Sequence, residues 1–240
     1  MIEIPDNLLC VIPARMGSQG IRKKNLRLLG GIPLVKHSIL HALHAGIDPS
    51  RICVSSDGGA ILDVARECKV VAHKRPDEIS GAMSSTEETL LYVLESFPSY
   101  EHVLLLQATS PIRLENSIQE FINFYLQGHD SALTTTKFYN FLWYTEDGNL
   151  YSTYDPENRP MRQSLTASDY RYFDNGNMYL TSSKTLLETK CRLGGKVGVF
   201  PITELEGMQI DTEKDFKTFN AIFSGSMAQS TGVGFWRSTQ

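Results

Sequence analysis

Residues 8–25 read LLCVIPARMGSQGIRKKN, an unbroken apolar run that passes directly into a loop of glycines and cations. A segment that is apolar at every position, not every second one, predicts a strand covered on both faces, as in a parallel sheet between helix layers. Similar runs follow at RICVSS (51–56), KVVAH (69–73) and HVLLLQ (102–107). Helical segments separate them. Pro33 opens one and Gly46 closes it, and GGAILDVARECK (58–69) is the next. Ser85 and Glu88 stand at capping-box spacing before a third helix to Phe97, and a fourth covers 114–127 before Gly128. The alternation predicts an α/β fold with a Rossmann-like, doubly wound, mostly parallel sheet. Such sheets bind ligands beyond the carboxyl ends of their strands, so the loop after the first strand is where a site is expected.

The pattern changes after residue 137. FLWYTEDGNLYSTY places Asp147-Gly148 between aromatic-rich runs, a hairpin signal. An inserted arm over about 138–172 is expected. Its aromatic residues suit packing on a partner subunit, and an ordinary surface subdomain is the alternative. The alternation resumes with GNMYLTS (176–182), a helix near 183–190, KVGVFPI (196–202) and a final helix from Asp211 to Phe223. One domain over 1–223 is expected, and the Ser/Gly-rich segment 224–240 reads as a disordered tail.

Composition limits the function classes. The chain of 240 residues has a net charge of −4, which gives no basic field for nucleic acid. No apolar run approaches the roughly 18 residues of a membrane span, and the N-terminus lacks the charged region of a signal peptide. Cys10, Cys53, Cys68 and Cys191 form no C-x-x-C pair, so a reducing, cytoplasmic setting is expected.

Against that acidic background, Arg15, Arg22, Lys23, Lys24 and Arg27 cluster in and just after the first loop. Gly17 and Gly20 let backbone N–H groups approach an anion closely. The loop is not a Walker A sequence, because no G-K-[ST] follows Gly17 at the required spacing. Neither does it contain the G-x-G-x-x-G of dinucleotide folds. A local anion site is expected, with a merely solvated basic loop as the alternative.

IPARMGSQGIRKKN (12–25) resembles the signature I/L-P-A-R-x-G-S-K-G-I-x-x-K-N of the CMP-acylneuraminate (CMP-sialic acid) synthetases and their relatives that activate legionaminic, pseudaminic and other nonulosonic acids. Further blocks resemble that family in order: VSSDGG (54–59), RPDEISGAMSSTEETL (75–90), LLQATSPIR (105–113), RQSL (162–165), DNGNMYL (174–180) and MQIDTEKDF (208–216). The resemblance implies a nucleotide-diphospho-sugar transferase type of fold whose arm crosses a homodimer interface. It implies attack of the anomeric hydroxyl of an acidic nine-carbon sugar on the α-phosphate of CTP, assisted by Mg²⁺ and releasing pyrophosphate.

The resemblance also assigns roles. Arg15, Lys24 and Asp211 would be the catalytic set, with Arg15 and Lys24 on phosphates and Asp211 on the metal, a hard ligand suited to Mg²⁺. Ala14, Gly17, Ser18 and Asn25 would complete the nucleotide loop, and Arg75, Ser85 and Thr86 would add to it. Gln107, Gln163, Asn175, Gly176 and Tyr179 would face the sugar. Arg162 is the candidate for the sugar carboxylate, which suits a bidentate arginine, in the neighbouring subunit's site. Structural alternatives stand beside these: a surface ion pair for Arg75, helix caps for Ser85 and Asp211, and a turn-stabilising role for Arg113.

Three positions depart from the family pattern: Gln209 and Ala82 stand where aspartate is usual, and Gln19 where lysine is usual. The first and last lower charge around the same polyphosphate. They leave open an adapted single-carboxylate metal shell, a different nucleotide or sugar (GTP included), or a non-catalytic binding protein. Kdo is disfavoured by the R-Q and N-G blocks. His37, His41 and His44 recur on one helix face. Without an adjacent carboxylate, they are expected to be an exposed stripe and not a metal site.

Overall fold

The computed structural model describes residues 4–18, 20–139 and 141–224. Gln19 and the expected tail beyond Ser224 lie outside the described residues. In chain order, β1 (Leu8–Pro13) precedes a short ribbon of β2 (Leu28–Leu29) and β3 (Ile32–Pro33), then α1 (Leu34–His44). The units β4 (Ile52–Ser56), α2 (Gly59–Glu67), β5 (Val71–Lys74), α3 (Thr86–Ser96), β6 (His102–Leu106) and α4 (Ser117–Tyr125) follow. Next come β7 (Ser131–Tyr139), a hairpin of β8 (Trp143–Glu146) and β9 (Asn149–Ser152), and β10 (Tyr170–Ser182). The last elements are α5 (Ser183–Thr189), β11 (Val197–Ile202) and α6 (Glu213–Ser224).

The central sheet runs β11-β7-β10-β6-β1-β4-β5. Only β10 is antiparallel to its neighbours; the other pairings are parallel. The doubly wound, mostly parallel sheet read from the sequence is therefore the fold observed.

The continuous apolar run of β1 has a direct cause. Leu8, Cys10 and Ile12 pack with Val35, Ile39, Ile61 and Phe121 of one helix layer. Leu9 and Val11 pack with Leu90, Val93 and Leu186 of the other. Each buried leucine or isoleucine removes enough apolar surface to stabilise the fold by roughly 1.5–3 kcal/mol. A third cluster joins Ile21 of the basic loop to Leu29, Ile112, Ile210 and Phe219, and so fastens α6 beside that loop.

Helix α3 begins as expected. Glu88 N donates to Ser85 Oγ at 3.1 Å and Ser85 N donates to Glu88 Oε2 at 2.7 Å. The hairpin turn at Asp147 and Gly148 has φ of 50° and 78°, the pair of positive values a type I′ turn needs. Around it, Trp143, Tyr144, Leu150 and Met161 are exposed, as are Tyr172 and Phe173 at the start of β10.

Three readings need correction. The strand β7 was not anticipated, and β10 starts earlier than GNMYLTS. The first-helix histidines do not form an exposed stripe. His37 is 3% exposed, with Nε2 3.0 Å from Leu29 O, and His41 Nε2 lies 3.1 Å from Pro111 O; only His44 is exposed. The helix face opposite Val35 is covered by the β2–β3 ribbon and the chain after β6, which a helical projection alone cannot foresee. Burial lowers His37 to about 4 and His41 to about 3, so both are neutral at pH 7.

Candidate active site

Two neighbouring clefts open where β1, β5 and β6 end. The larger, of about 430 Å³, is lined by Pro13 at the end of β1, Arg75 just past β5 and Gln107 just past β6. Arg15, Ser18, Lys24, Asn25, Ser85, Thr86 and Asp211 also face it. The smaller, of about 380 Å³, shares Gln107 and Thr109 with the first and adds Asp174, Gly176, Tyr179, Arg192 and Gln209.

Hydrogen bonds to its own backbone shape the basic loop. Met16 N donates to Asp57 Oδ1 at 2.8 Å, and Asn25 Nδ2 donates to Arg15 O at 2.9 Å. Arg15 Nη1 donates to Gly81 O, which links the loop to the segment before α3. At Gly20 a side chain would collide with the Asp211 carbonyl oxygen. That glycine is needed for close passage of the loop past the α6 approach. Gly17 is exposed, and a Cβ there would meet only open space.

Lys24 spans the cleft mouth. Its Nζ donates to Ile210 O at 2.7 Å and to Asp211 Oδ1 at 3.1 Å. Ile210 N is held in turn by Thr109 O at 2.9 Å. Asp211 does not cap the last helix. Thr212 and Asp215 do so: Asp215 N donates to Thr212 Oγ1, and the N–H groups of Asp211 and Thr212 donate to Asp215 Oδ2. The Asp211 carboxylate, its side chain 63% exposed, therefore stands in the cleft. Ser85 serves as a cap and also lines the cleft.

Two arginines are buried, contrary to the simpler readings of each. Arg75 is no surface ion pair: it is 4% exposed and donates through Nη1 to Thr89 Oγ1. Its Nε is buried without a partner, and burial lowers its pKa. Arg113 does more than steady a turn. Its Nη2 donates to the Gln107 and Asn177 carbonyls at 3.1 and 3.2 Å, and Nη1 donates to Ser38 Oγ at 3.2 Å. It pins the backbone of Gln107, the residue shared by both clefts, while burial pulls its pKa to about 10.

In the second cleft, Tyr179 donates its hydroxyl to Asp174 Oδ1 at 2.6 Å, and burial, reinforced by that bond, pushes its pKa up to about 12. Gln209 Nε2 donates to Asn175 O and lies over Gly176 (φ 65°), where a side chain would strike it.

Several residues assigned by resemblance do not face either cleft. Ala14 is packed in the core. Asn175 is 1% exposed and braces the sheet through Thr134, Thr136 and the N–H of Asn177. Arg162 and Gln163 lie exposed between β9 and β10 and line neither cleft of their own chain, and Arg22 and Lys23 are exposed outside the lining. Thr109, Asp174 and Arg192 are lining residues that the sequence reading did not single out.

Among the described residues, no cluster of three or more His, Cys, Asp or Glu side chains could hold a metal by itself. Asp211 offers one carboxylate in the same cleft as the cations, while the Gln209 amide is turned onto Asn175. A magnesium ion commonly takes one or two carboxylates and completes its shell with phosphate oxygens and water. The donor set thus fits a metal shared with a nucleotide.

None of the helices among the described residues is long and apolar enough to cross a membrane. The cytidylyltransferase family profile matches residues 9–219. An N-acylneuraminate cytidylyltransferase of Streptococcus agalactiae is 26% identical over 216 residues, covering 87% of this chain and 51% of its own. N-acylneuraminate cytidylyltransferase A of Danio rerio is 30% identical over 216 residues, covering 88% and 49%. The chain thus spans about half the length of these two relatives. It spans 93% of a pseudaminic acid cytidylyltransferase of Campylobacter jejuni, which is 28% identical over 219 residues. Among solved structures, CMP:2-keto-3-deoxy-manno-octonic acid synthetase complexed with CTP has a TM-score of 0.66 at 15% identity, with 92% of this chain and 98% of that one covered. Taken with the clefts at the carboxyl ends of the strands, the match over nearly the whole described chain shows that it belongs to the cytidylyltransferase family.

Proposed function

We propose that this protein transfers CMP from CTP to the anomeric hydroxyl of an acidic nine-carbon sugar, a nonulosonic acid of the sialic, legionaminic or pseudaminic kind, releasing pyrophosphate. The observation that carries this reading is the pair of clefts meeting at Gln107 and Thr109, one cationic and one polar. A triphosphate in the first is positioned for attack by an acceptor in the second, which turns an encounter of two molecules into a reaction between neighbours.

In this reading Arg15 and Lys24 bind the triphosphate and stabilise the charge that builds on the leaving pyrophosphate. Buried Arg75 adds a cation that water screens poorly. Arg113 fixes the Gln107 backbone so that its side chain orients the acceptor. Mg²⁺, held by Asp211 together with the nucleotide, would neutralise phosphate charge. Arg162 and Gln163, on the exposed arm, are assigned to the acceptor cleft of a second subunit in a homodimer. The relatives named for N-acylneuraminate and pseudaminic acid support the acceptor class, and the CTP-bound structural neighbour supports the nucleotide.

The test is pyrophosphate release with CTP or GTP crossed against sialic, legionaminic, pseudaminic and Kdo acids in the presence of Mg²⁺. Release that needs CTP and a nine-carbon acid together is expected. Release with GTP alone would reassign the nucleotide, and silence across the grid from folded, CTP-binding protein would make it a binding protein.

A further inference from the structure

Among the described residues, the second cleft has one cationic side chain in its lining, Arg192, from the segment between α5 and β11. Arg192 Nη1 donates to Glu87 Oε1 at 2.7 Å, and its guanidinium carbon lies 4.4 Å from the centre of the Tyr179 ring. The two partners hold it from different sides. Glu87 is in the first turn of α3, directly after the cleft-lining pair Ser85 and Thr86, and Tyr179 comes from β10. The side chains of Arg192 and Glu87 are only 24% and 22% exposed, so the pair is sheltered from solvent screening. A long flexible side chain is thereby fixed at the wall of a cleft before any ligand arrives, which lowers the entropy lost on binding.

The cleft's own acid does not compete for this cation by hydrogen bonding. Asp174 Oδ1 accepts the Tyr179 hydroxyl at 2.6 Å and Gly176 N at 3.1 Å. Arg192 Nε is buried with no partner, so burial has already cost this guanidinium part of its hydration. A planar guanidinium fixed in this way is suited to a paired oxygen acceptor and is not replaced by lysine without loss.

Resting on the proposed transfer to a sugar acid, we infer that Arg192 is a specificity-determining residue of the acceptor cleft, donating hydrogen bonds to a carboxylate or acyl oxygen of the acceptor. Glu87 is its positioning residue. Because Glu87 belongs to the helix whose N-terminus borders the nucleotide cleft, acceptor recognition and the nucleotide wall share one rigid element.

The experiment measures acceptor KM, CTP KM and kcat for wild type, Arg192→Gln, Arg192→Lys, Glu87→Gln and Arg162→Ala. The acceptors are the preferred sugar acid, its carboxyl methyl ester and its de-N-acylated form. Arg192→Gln is expected to raise acceptor KM by roughly 10–100-fold, the loss of a sheltered charge-assisted bond, with CTP KM within twofold of wild type. Arg192→Lys should recover part of the loss, and Glu87→Gln should show a smaller loss of the same kind. The analogue in which the group that Arg192 reads is esterified or missing should be used about equally by wild type and Arg192→Gln, which identifies that group. Equal losses on all three acceptors, a parallel rise in CTP KM, or an unmoved acceptor KM would overturn the inference while wild-type turnover upheld the reading beneath it. So would a loss carried by Arg162→Ala and absent from Arg192→Gln. Wild-type protein that bound CTP yet accepted no acid would overturn both.

Discussion

Lys24 Nζ lies 3.1 Å from Asp211 Oδ1 and 2.7 Å from Ile210 O, which ties the basic loop to the segment before α6 across the mouth of the larger cleft. The two residues bring opposite charges to the place where a triphosphate and its metal would sit. Each offsets the other's charge there. An arriving nucleotide would give Lys24 phosphate oxygens in place of the carboxylate and release Asp211 for a cation.

Asp211→Asn should lower turnover by at least ~100-fold, in line with the loss of one well-placed charged group in a transfer site. Its melting temperature should stay within a few degrees of wild type, because Thr212 and Asp215 cap the helix. Thr212→Ala should do the reverse, costing about 1 kcal/mol of stability with turnover largely kept. Thermal unfolding and steady-state kinetics on both variants separate the roles. Normal turnover in Asp211→Asn would remove it from the mechanism.

Gly20→Ala should impair nucleotide binding without altering any charge. The added methyl group meets the Asp211 carbonyl oxygen, so the loop or the α6 approach must shift. A displacement of about 1 Å in such a site can cost on the order of 100-fold in rate. We expect kcat/KM for CTP to fall at least ~10-fold, and an unchanged value would mean that the loop adapts freely.

Arg75→Met keeps much of the buried volume and removes the cation. CTP KM should rise roughly 10–100-fold, as expected for losing a charged hydrogen-bond donor, while the acceptor KM stays near wild type. An equal rise in both constants would point to a collapsed wall between α3 and the sheet.

Stability should fall on acidification below the ordinary histidine pKa of about 6.5. His37 and His41 are held neutral by burial, near 4 and 3, while the unfolded chain protonates both near 6.5. The unfolded state therefore binds more protons below that pH, and the stability present above 6.5 is lost as pH falls towards 4 and then 3. Each group contributes a slope of up to about 1.4 kcal/mol per pH unit in this window. Unfolding midpoints between pH 7 and pH 5 should be flatter for His37→Gln than for wild type. Parallel curves would assign the acid sensitivity to other groups.

Much of the fold was legible because the parallel strands are buried on both faces, and continuous apolar runs such as 8–13 and 102–106 betray that burial. The strand β7 escaped because its sequence, SALTTTKFY, is threonine-rich. Buried Thr134 satisfies its hydroxyl on Asn175 and Met178, a compensation visible only in three dimensions. The cationic cleft was legible as a local cluster after a strand. The second cleft was legible only in part: the resemblance assigned Gln107, Gly176 and Tyr179 to it, while Thr109, Asp174 and Arg192 come from separate segments that only the sheet order brings beside them. The histidine face was misjudged for a related reason: the residues that cover it come from a ribbon and a loop outside the helix.

The proposed transfer is tested most directly by a phosphorus NMR spectrum of the reaction of CTP, Mg²⁺ and a nine-carbon sugar acid with the wild-type protein. Transfer of CMP to the sugar should show as loss of the triphosphate signals in step with growth of pyrophosphate and of one phosphodiester signal from sugar-linked CMP. Free CMP without a sugar-linked product, or CTP that persists in the presence of every acid, would contradict it.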